Sequence, residues 1–281
     1  MTIEVNGVRL FTREVGSGPM VVVLHGGPGA HHDYLLPQYD RLATGGGGRR
    51  ALFYYDQRGG GQSPVPRDTP VGWREHVADL HAIRDALGLE RLTLCGYSWG
   101  GVLAILYTLE HPDNVERLAL VSPAGIAFEY RHQFEEEFAR RMSSPDIVRE
   151  RETLRASGLR ERDPAAYQRR AFELSVAGYF RDFRDAQHLT AFRVNARTQQ
   201  AVWDSLGEYD FRPQLKALGS RSPLPPSRIL HGTFDPIPIA SSRELAALIR
   251  ADLAELPVGH CPHVEATDEF VHALDGFLPR Q

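Results

Sequence analysis

Two stretches of this chain, Met20–Leu24 and Ala51–Tyr55, are apolar without interruption. A strand with one wet face alternates apolar and polar residues, whereas a strand covered on both faces does not. Covering both faces requires helices, and helical periodicity appears from Trp73 to Leu87 and again from Gly101 to Glu110, on either side of a strand at Leu92–Cys95. A further strand follows at Arg117–Val121. After a long gap the alternation resumes with strand Arg228–His231, helix Ser241–Ile249, strand Leu253–Leu256 and helix Asp268–Leu278. Alternating strands and helices imply an α/β fold, a mostly parallel central sheet flanked by helices. The chain starts differently, with β-rich Thr2–Val5 and Val8–Val15 joined by Asn6-Gly7, the signature of a tight hairpin. A glycine turn is expected at Gly45–Gly48.

The gap is a compositional island. Residues 125–212 hold 15 arginines against 15 acidic residues, with Phe134, Phe138 and Met142 at helical spacing and amphipathic segments near 163–178 and 195–206. Balanced charge of this kind reads as solvated helix surface. The expected organisation is one catalytic α/β domain formed by residues 1–124 and 211–281, with residues 125–210 inserted as a helical cap over one end of the sheet. Tyr130, Tyr179, Phe180, Phe183 and Trp203 are read mainly as the core of that insertion, one or two of them lining a pocket.

The net charge is −4 and Lys216 is the only lysine. No basic surface for phosphates is evident, which argues against a nucleic-acid partner. No run reaches the 18 apolar residues a membrane span needs, and Met1–Gly7 carries neither the basic nor the apolar region of a signal peptide. Two cysteines, Cys95 and Cys261, are too few for a disulfide framework. A cytoplasmic protein is expected.

Chemistry concentrates in Gly96-Tyr97-Ser98-Trp99-Gly100. Between an apolar strand and a helix, G-x-S-x-G forms a turn so sharp that small residues must flank it, leaving the serine at its apex. A serine hydroxyl needs a base to take its proton and an acid to orient that base. Asp235 follows the strand ending at Leu230, and His260 follows the last strand, giving the order Ser98, Asp235, His260 at strand C-termini. His263 is the competing histidine, but it sits where the chain enters its last helix. An oxyanion needs two N–H donors: Trp99, directly after the nucleophile, and Gly27 in the loop His25-Gly26-Gly27-Pro28-Gly29, with Gly26 as the other choice. His25 is expected to hydrogen-bond its own loop. Gly26 and Tyr97 are expected against the substrate, an apolar group seated on Trp99, Tyr97 and aromatics of the insertion. Asp56 and Arg58 read as structural, Arg58 pairing with Asp56 or with the neighbouring loop. Adjacent His31 and His32 point apart and lack a spaced third ligand, so neither a metal nor another cofactor is expected.

His25–Gly29 (HGGPG), Asp56–Ser63 (DQRGGGQS) and Ser98–Gly101 (SWGG) together resemble the proline iminopeptidases of the α/β-hydrolase superfamily. Gly259–Glu265 (GHCPHVE) resembles the superfamily's histidine loop, in which the first histidine is catalytic. The resemblance spans residue 20 to the C-terminus and is weak in the insertion. It implies an α/β-hydrolase fold, a Ser-His-Asp triad with an acyl-enzyme intermediate, no cofactor, and release of an N-terminal proline or small apolar residue from short peptides. Such peptidases hold the free amine with acidic residues, in some members a Glu directly after the catalytic Asp. Here Pro236 follows Asp235, and Asn195–Gln200 offers amides. Glu173 and Glu208 are the acids considered in their place. A hydrolase of small esters, amides or lactones on the same triad is the alternative, and a non-catalytic ligand-binding module is a third reading. Epoxide hydrolase or dehalogenase chemistry would need Asp at position 98.

Overall fold

A computed structural model describes residues 1–44 and 49–281; the turn expected at Gly45–Gly48 lies outside them. Strands β1 (Thr2–Val5) and β2 (Val8–Gly16) form the hairpin, with Asn6 and Gly7 both at positive φ in its turn. They continue into β3 (Met20–Leu24), β4 (Ala51–Tyr55), β5 (Leu92–Tyr97), β6 (Val115–Val121), β7 (Ser227–Gly232) and β8 (Asp252–Leu256). The eight strands form one sheet in the order β1-β2-β4-β3-β5-β6-β7-β8. Pairs β1–β2 and β2–β4 are antiparallel, and every pair from β3–β4 onward is parallel.

Successive residues of a strand point to opposite faces, so each uninterrupted apolar strand feeds two cores. Val22, Leu24, Leu94 and Leu120 pack on one face, under α1 (Trp73–Ala86) and α2 (Trp99–Glu110). Val21, Val23, Cys95 and Val121 pack on the other, against Leu35, Leu42 and the C-terminal helix that carries Phe270 and Leu274. α2 is buried along nearly its whole length, the mark of a helix packed between sheet and neighbours. Arg50, wholly buried at the start of β4, ties this second face to the C-terminus by donating to the carbonyls of Leu42, Asp275 and Pro279 and to the Asp275 carboxylate.

The stretch between β6 and β7 contains α3 (Phe128–Met142), α4 (Pro145–Ala156), the single turn α5 (Leu159–Arg162), α6 (Pro164–Val176), α7 (Ala196–Leu206) and α8 (Arg212–Arg221). Its entry and exit lie side by side: Phe128 N–H donates to Tyr209 C=O and Phe211 N–H to Ile126 C=O, an antiparallel bridge at Ala127 and Asp210. After β7 come α9 (Ile239–Ile249), β8, the short α10 (Pro262–Glu265) and α11 (Thr267–Asp275). Helix α8 is absent from the periodicity reading, since only Leu215 and Leu218 of its residues are buried. Among the described residues no helix is long and apolar enough to cross a membrane.

Of the six buried histidines among the described residues, three lie in these layers with strongly shifted titration: His25 after β3, His76 on α1 and His263 on α10. Loss of water disfavours the imidazolium, lowering their pKa values to about 4, 3 and 3. His263 packs edge-on against Tyr39, Tyr97 and Phe270, at 5.3, 5.1 and 6.1 Å between ring centroids. In the unfolded chain these rings take up protons near pH 6.5, while in the folded one they do not. Their stabilising contribution is therefore complete above about pH 6.5 and is lost as pH falls towards their folded pKa values. Each costs about 1.4 kcal/mol per pH unit in that window. Urea unfolding at pH 7, 6 and 5 should show stability falling with pH, and His263→Phe should reduce the slope by about that increment. An unchanged slope would contradict the neutral burial of His263.

Candidate active site

The turn from β5 into α2 leaves almost no room. A Cβ on Gly96 would lie 2.4 Å from the Gly100 carbonyl oxygen, and one on Gly100 would lie 2.0 Å from the Leu24 carbonyl oxygen. Both are backbone contacts that cannot move aside, so the glycines flanking the serine are dictated by the approach of α2 to β3. At the apex Ser98 is driven to φ 54°, ψ −118°, a conformation a non-glycine residue holds only under constraint. The constraint includes Ser98 N–H donating to Val121 C=O at 3.0 Å, and Ser98 C=O accepting from Gly101 and Ala124.

Parallel pairing of β6, β7 and β8 then carries two loops to the same end of the sheet. Asp235 follows β7 and His260 follows β8. His260 Nε2 lies 3.1 Å from Ser98 Oγ, and its Nδ1 lies 2.8 Å from Asp235 Oδ2. Burial raises the Asp235 carboxyl pKa, but His260, His231 and the Ile237 N–H together outweigh it and hold the group below the usual carboxylate range. The structure thus brings Ser98, His260 and Asp235 into one chain of contacts. It leaves His263 out, facing the aromatic cluster behind Tyr97.

The loop after β3 reaches the same point. A Cβ on Gly26 would lie 3.0 Å from that of Ser98, and Gly27 sits at φ +124°. Gly26 N–H already donates to the Tyr34 hydroxyl at 2.6 Å, so of the two candidate glycines it is the one already engaged. Trp99 occupies the first turn of α2, where N–H groups lack partners within the helix. Its indole does not seat a substrate as expected. The ring is fully buried, donates Nε1–H to Gln57 Oε1 at 2.8 Å, and packs edge-on against Trp203. Gly26 likewise lies beneath Ser98 without lining either cavity beside it, whereas Tyr97 lines the smaller one.

The DQRGGGQS segment is scaffolding. Gln57 donates through its side chain to His25 C=O and through its backbone to His25 Nε2, while His25 Nδ1 sits 2.8 Å from Gly26 O. One glutamine therefore joins the glycine loop to Trp99. Asp56 accepts from the backbone of His32 and Gln62 and contacts His32 Nδ1. The Asp56–Arg58 pair considered from the sequence does not form. Arg58 instead grips Asp79 of α1 with two nitrogens and donates to Pro70 C=O, the Asp56 carboxylate being taken by His32 and Gln62. Among the described residues no cluster of metal-ligating side chains occurs.

Ser98 opens into a cavity of about 210 Å³ whose far wall is α3 and α7. Arg131 and Glu135 of α3, Gln199, Gln200 and Trp203 of α7, and Tyr179 line it. Glu173 and Glu208 do not: Glu173 is paired with Arg169 and Arg170, and Glu208 borders a separate groove near Trp73. Glu135 is the acid that shares the cavity with Ser98. It lies one residue after Phe134 on a helix with no buried residue, and nothing in the sequence separates it from the neighbouring Glu136 and Glu137. A second lobe of about 70 Å³ on the other side of Ser98 is lined by Tyr34, Tyr97, Leu189, Phe192 and Val194. Tyr179 closes the site from above. Its carbonyl accepts the His260 N–H at 2.7 Å, and its ring stacks on the imidazole at 5.0 Å. The Glu265 carboxylate accepts from Gly259 and Arg181 N–H, pinning the histidine loop to the inserted segment.

A family model described as the alpha/beta hydrolase fold matches residues 19–267. A proline iminopeptidase of Lactobacillus helveticus is 29% identical over 300 residues, covering 97% of this chain and 95% of its own. Among solved structures, a proline iminopeptidase of Mycobacterium smegmatis superposes with a TM-score of 0.69 at 20% identity, covering 99% of this chain and 96% of the other. An esterase of Exiguobacterium antarcticum gives the same TM-score at 21% identity, covering 97% and 96%. At those identities the two solved structures speak for the fold alone. The family match spans most of the chain, and the protein belongs to the α/β-hydrolase family, in which it is similar to the proline iminopeptidases.

Proposed function

We propose that the protein is a serine hydrolase of the proline iminopeptidase type, releasing an N-terminal proline or small apolar residue from short peptides. The observation that carries this reading is the shared cavity: one wall holds Ser98 hydrogen-bonded through His260 to Asp235, and the opposite wall holds the Glu135 carboxylate. Residues 125–210 act as a cap that confines the substrate between those walls. With Cys95 and Cys261 both unpaired thiols, the enzyme is assigned to the reducing cytoplasm.

His260 Nε2 removes the Ser98 hydroxyl proton as Oγ attacks the carbonyl carbon next to the N-terminal ring or side chain. The N–H groups of Gly27 and Trp99 bind the oxyanion of the tetrahedral adduct. His260 returns the proton to the departing amine nitrogen, the C–N bond breaks, and the acyl group remains on Ser98. Water, deprotonated by the same imidazole, then hydrolyses the ester and restores the serine. Asp235 stays ionised throughout and stabilises the imidazolium. Glu135 fixes which end of the peptide enters by pairing with the free ammonium, and the lobe of Tyr34, Tyr97 and Phe192 takes the apolar part of the acyl residue.

An esterase reading has its own support, because Glu135 is already paired with Arg131 at 3.0 Å. A carboxylate neutralised in this way exerts less pull on an incoming amine.

Ser98→Ala should abolish turnover, and His260→Ala should cost about as much, since the members of such a relay act as a unit. Asp235→Asn should lower kcat by on the order of 10⁴, by analogy with serine proteases. His263→Ala should remain within about tenfold, a barrier change near 1.4 kcal/mol. An inactive His263→Ala beside an active His260→Ala would reverse the assignment.

The substrate reading is separately measurable from kcat/KM for a proline arylamide, its N-acetyl derivative and an aryl ester of similar size. The free amine should be preferred over its acetylated form by about 10² or more, and Glu135→Gln should erase most of that preference. Less than about tenfold loss on acetylation, with faster ester cleavage, would establish the esterase reading instead.

A further inference from the structure

Arg131 stands one helical turn before Glu135 on α3, and both line the cavity that holds Ser98. Its guanidinium lies over the Trp203 ring, with Cζ 4.4 Å from the ring centroid, and Trp203 in turn packs on Trp99 at 5.4 Å. A guanidinium stacked in this way keeps its plane fixed and presents its edge. Nε donates to Glu135 Oε1 at 3.0 Å. Among the described residues, neither Nη atom of Arg131 donates to a protein acceptor. Arg141 and Arg170 of the inserted segment, and Arg212 just after it, each place at least one Nη atom on a carbonyl or carboxylate. Arg131 is therefore a cation at the cavity wall with its fork open.

We propose that Arg131 reads a carboxylate on the substrate, so that the preferred substrates are zwitterionic: short peptides with a free C-terminus, dipeptides above all. This rests on the aminopeptidase reading of the site and names its substrate class. Charge balance is the argument. At rest Arg131 and Glu135 neutralise each other across one hydrogen bond. A substrate bringing only an ammonium draws on Glu135 and leaves the part-exposed guanidinium to water alone, and one bringing only a carboxylate does the reverse. A dipeptide brings both charges a few bonds apart, on opposite sides of the scissile carbonyl, and satisfies both side chains at once. Its carboxylate meets the two open Nη atoms in the bidentate geometry that guanidinium favours.

The test compares prolyl-glycine with prolyl-glycinamide, which differ only in the terminal carboxylate. The wild type should favour the free acid by at least about tenfold in kcat/KM, mostly through KM. Arg131→Met should bring the ratio close to one, mainly by losing activity on the acid. Arg131→Lys should keep an intermediate preference, because a point charge retains attraction without the fork. Arg140→Gln, on the same helix but paired with Glu137 outside the cavity, should leave the ratio unchanged. Equal cleavage of acid and amide by the wild type would overturn the role of Arg131 and leave the aminopeptidase reading standing. A preference that survives in Arg131→Met would also overturn it. Cleavage of aryl esters with neither dipeptide touched would remove the aminopeptidase reading, and this inference with it.

Discussion

The α-carbon of Gly100 packs so closely against the end of β3 that no side chain fits between them, and this contact sets the geometry of everything near Ser98. With α2 drawn against the sheet, the chain can pass from β5 into the helix only through a left-handed residue at the apex. Such a conformation costs on the order of 1–3 kcal/mol and persists only where the surroundings over-determine it. Here they do so from both sides. β6 accepts the Ser98 N–H, and the buried Trp99 indole is anchored to Gln57. The same anchor reaches the glycine loop through His25, so the two proposed oxyanion donors share one scaffold. They are held at fixed separation before any substrate arrives, which is the arrangement electrostatic catalysis requires.

The inserted segment is joined to this scaffold at the residue that most needs orientation. Tyr179 both accepts the His260 N–H and stacks on its ring, while Glu265 ties the preceding glycine to Arg181. A rearrangement of the segment would therefore displace the imidazole as well as the cavity wall. Confinement of a substrate and orientation of the proposed base would thus be coupled through the Tyr179–His260 and Glu265 hydrogen bonds.

Much of this is legible in the sequence. Apolar strands buried on both faces declare themselves by composition, and residues that follow parallel strands, the exposed edge strand β8 included, land at one end of the sheet by topology alone. That is why Ser98, Asp235 and His260 can be named from their places in the chain. The inserted segment hides its chemistry for a physical reason. Phe134 and Phe138 repeat at core spacing, yet α3 buries no residue fully, and its aromatic face meets Tyr179 beside an open cavity. Periodicity identifies such a face without telling a core from a pocket wall, so Arg131 and Glu135 pass for two more members of a solvated charge pattern. The partner of Arg58 is equally hidden, because Asp79 is reached through the tertiary approach of α1 and not through local spacing.

The central claim is that Ser98 carries the acyl group. Its most direct test is covalent trapping: reaction with a fluorophosphonate probe, digestion, and mass spectrometry of the labelled peptide. One adduct is expected, on Ser98, formed in step with loss of activity and absent after His260→Ala, where no base is left to activate the hydroxyl. An adduct on another serine, or activity retained after complete labelling of Ser98, would contradict it.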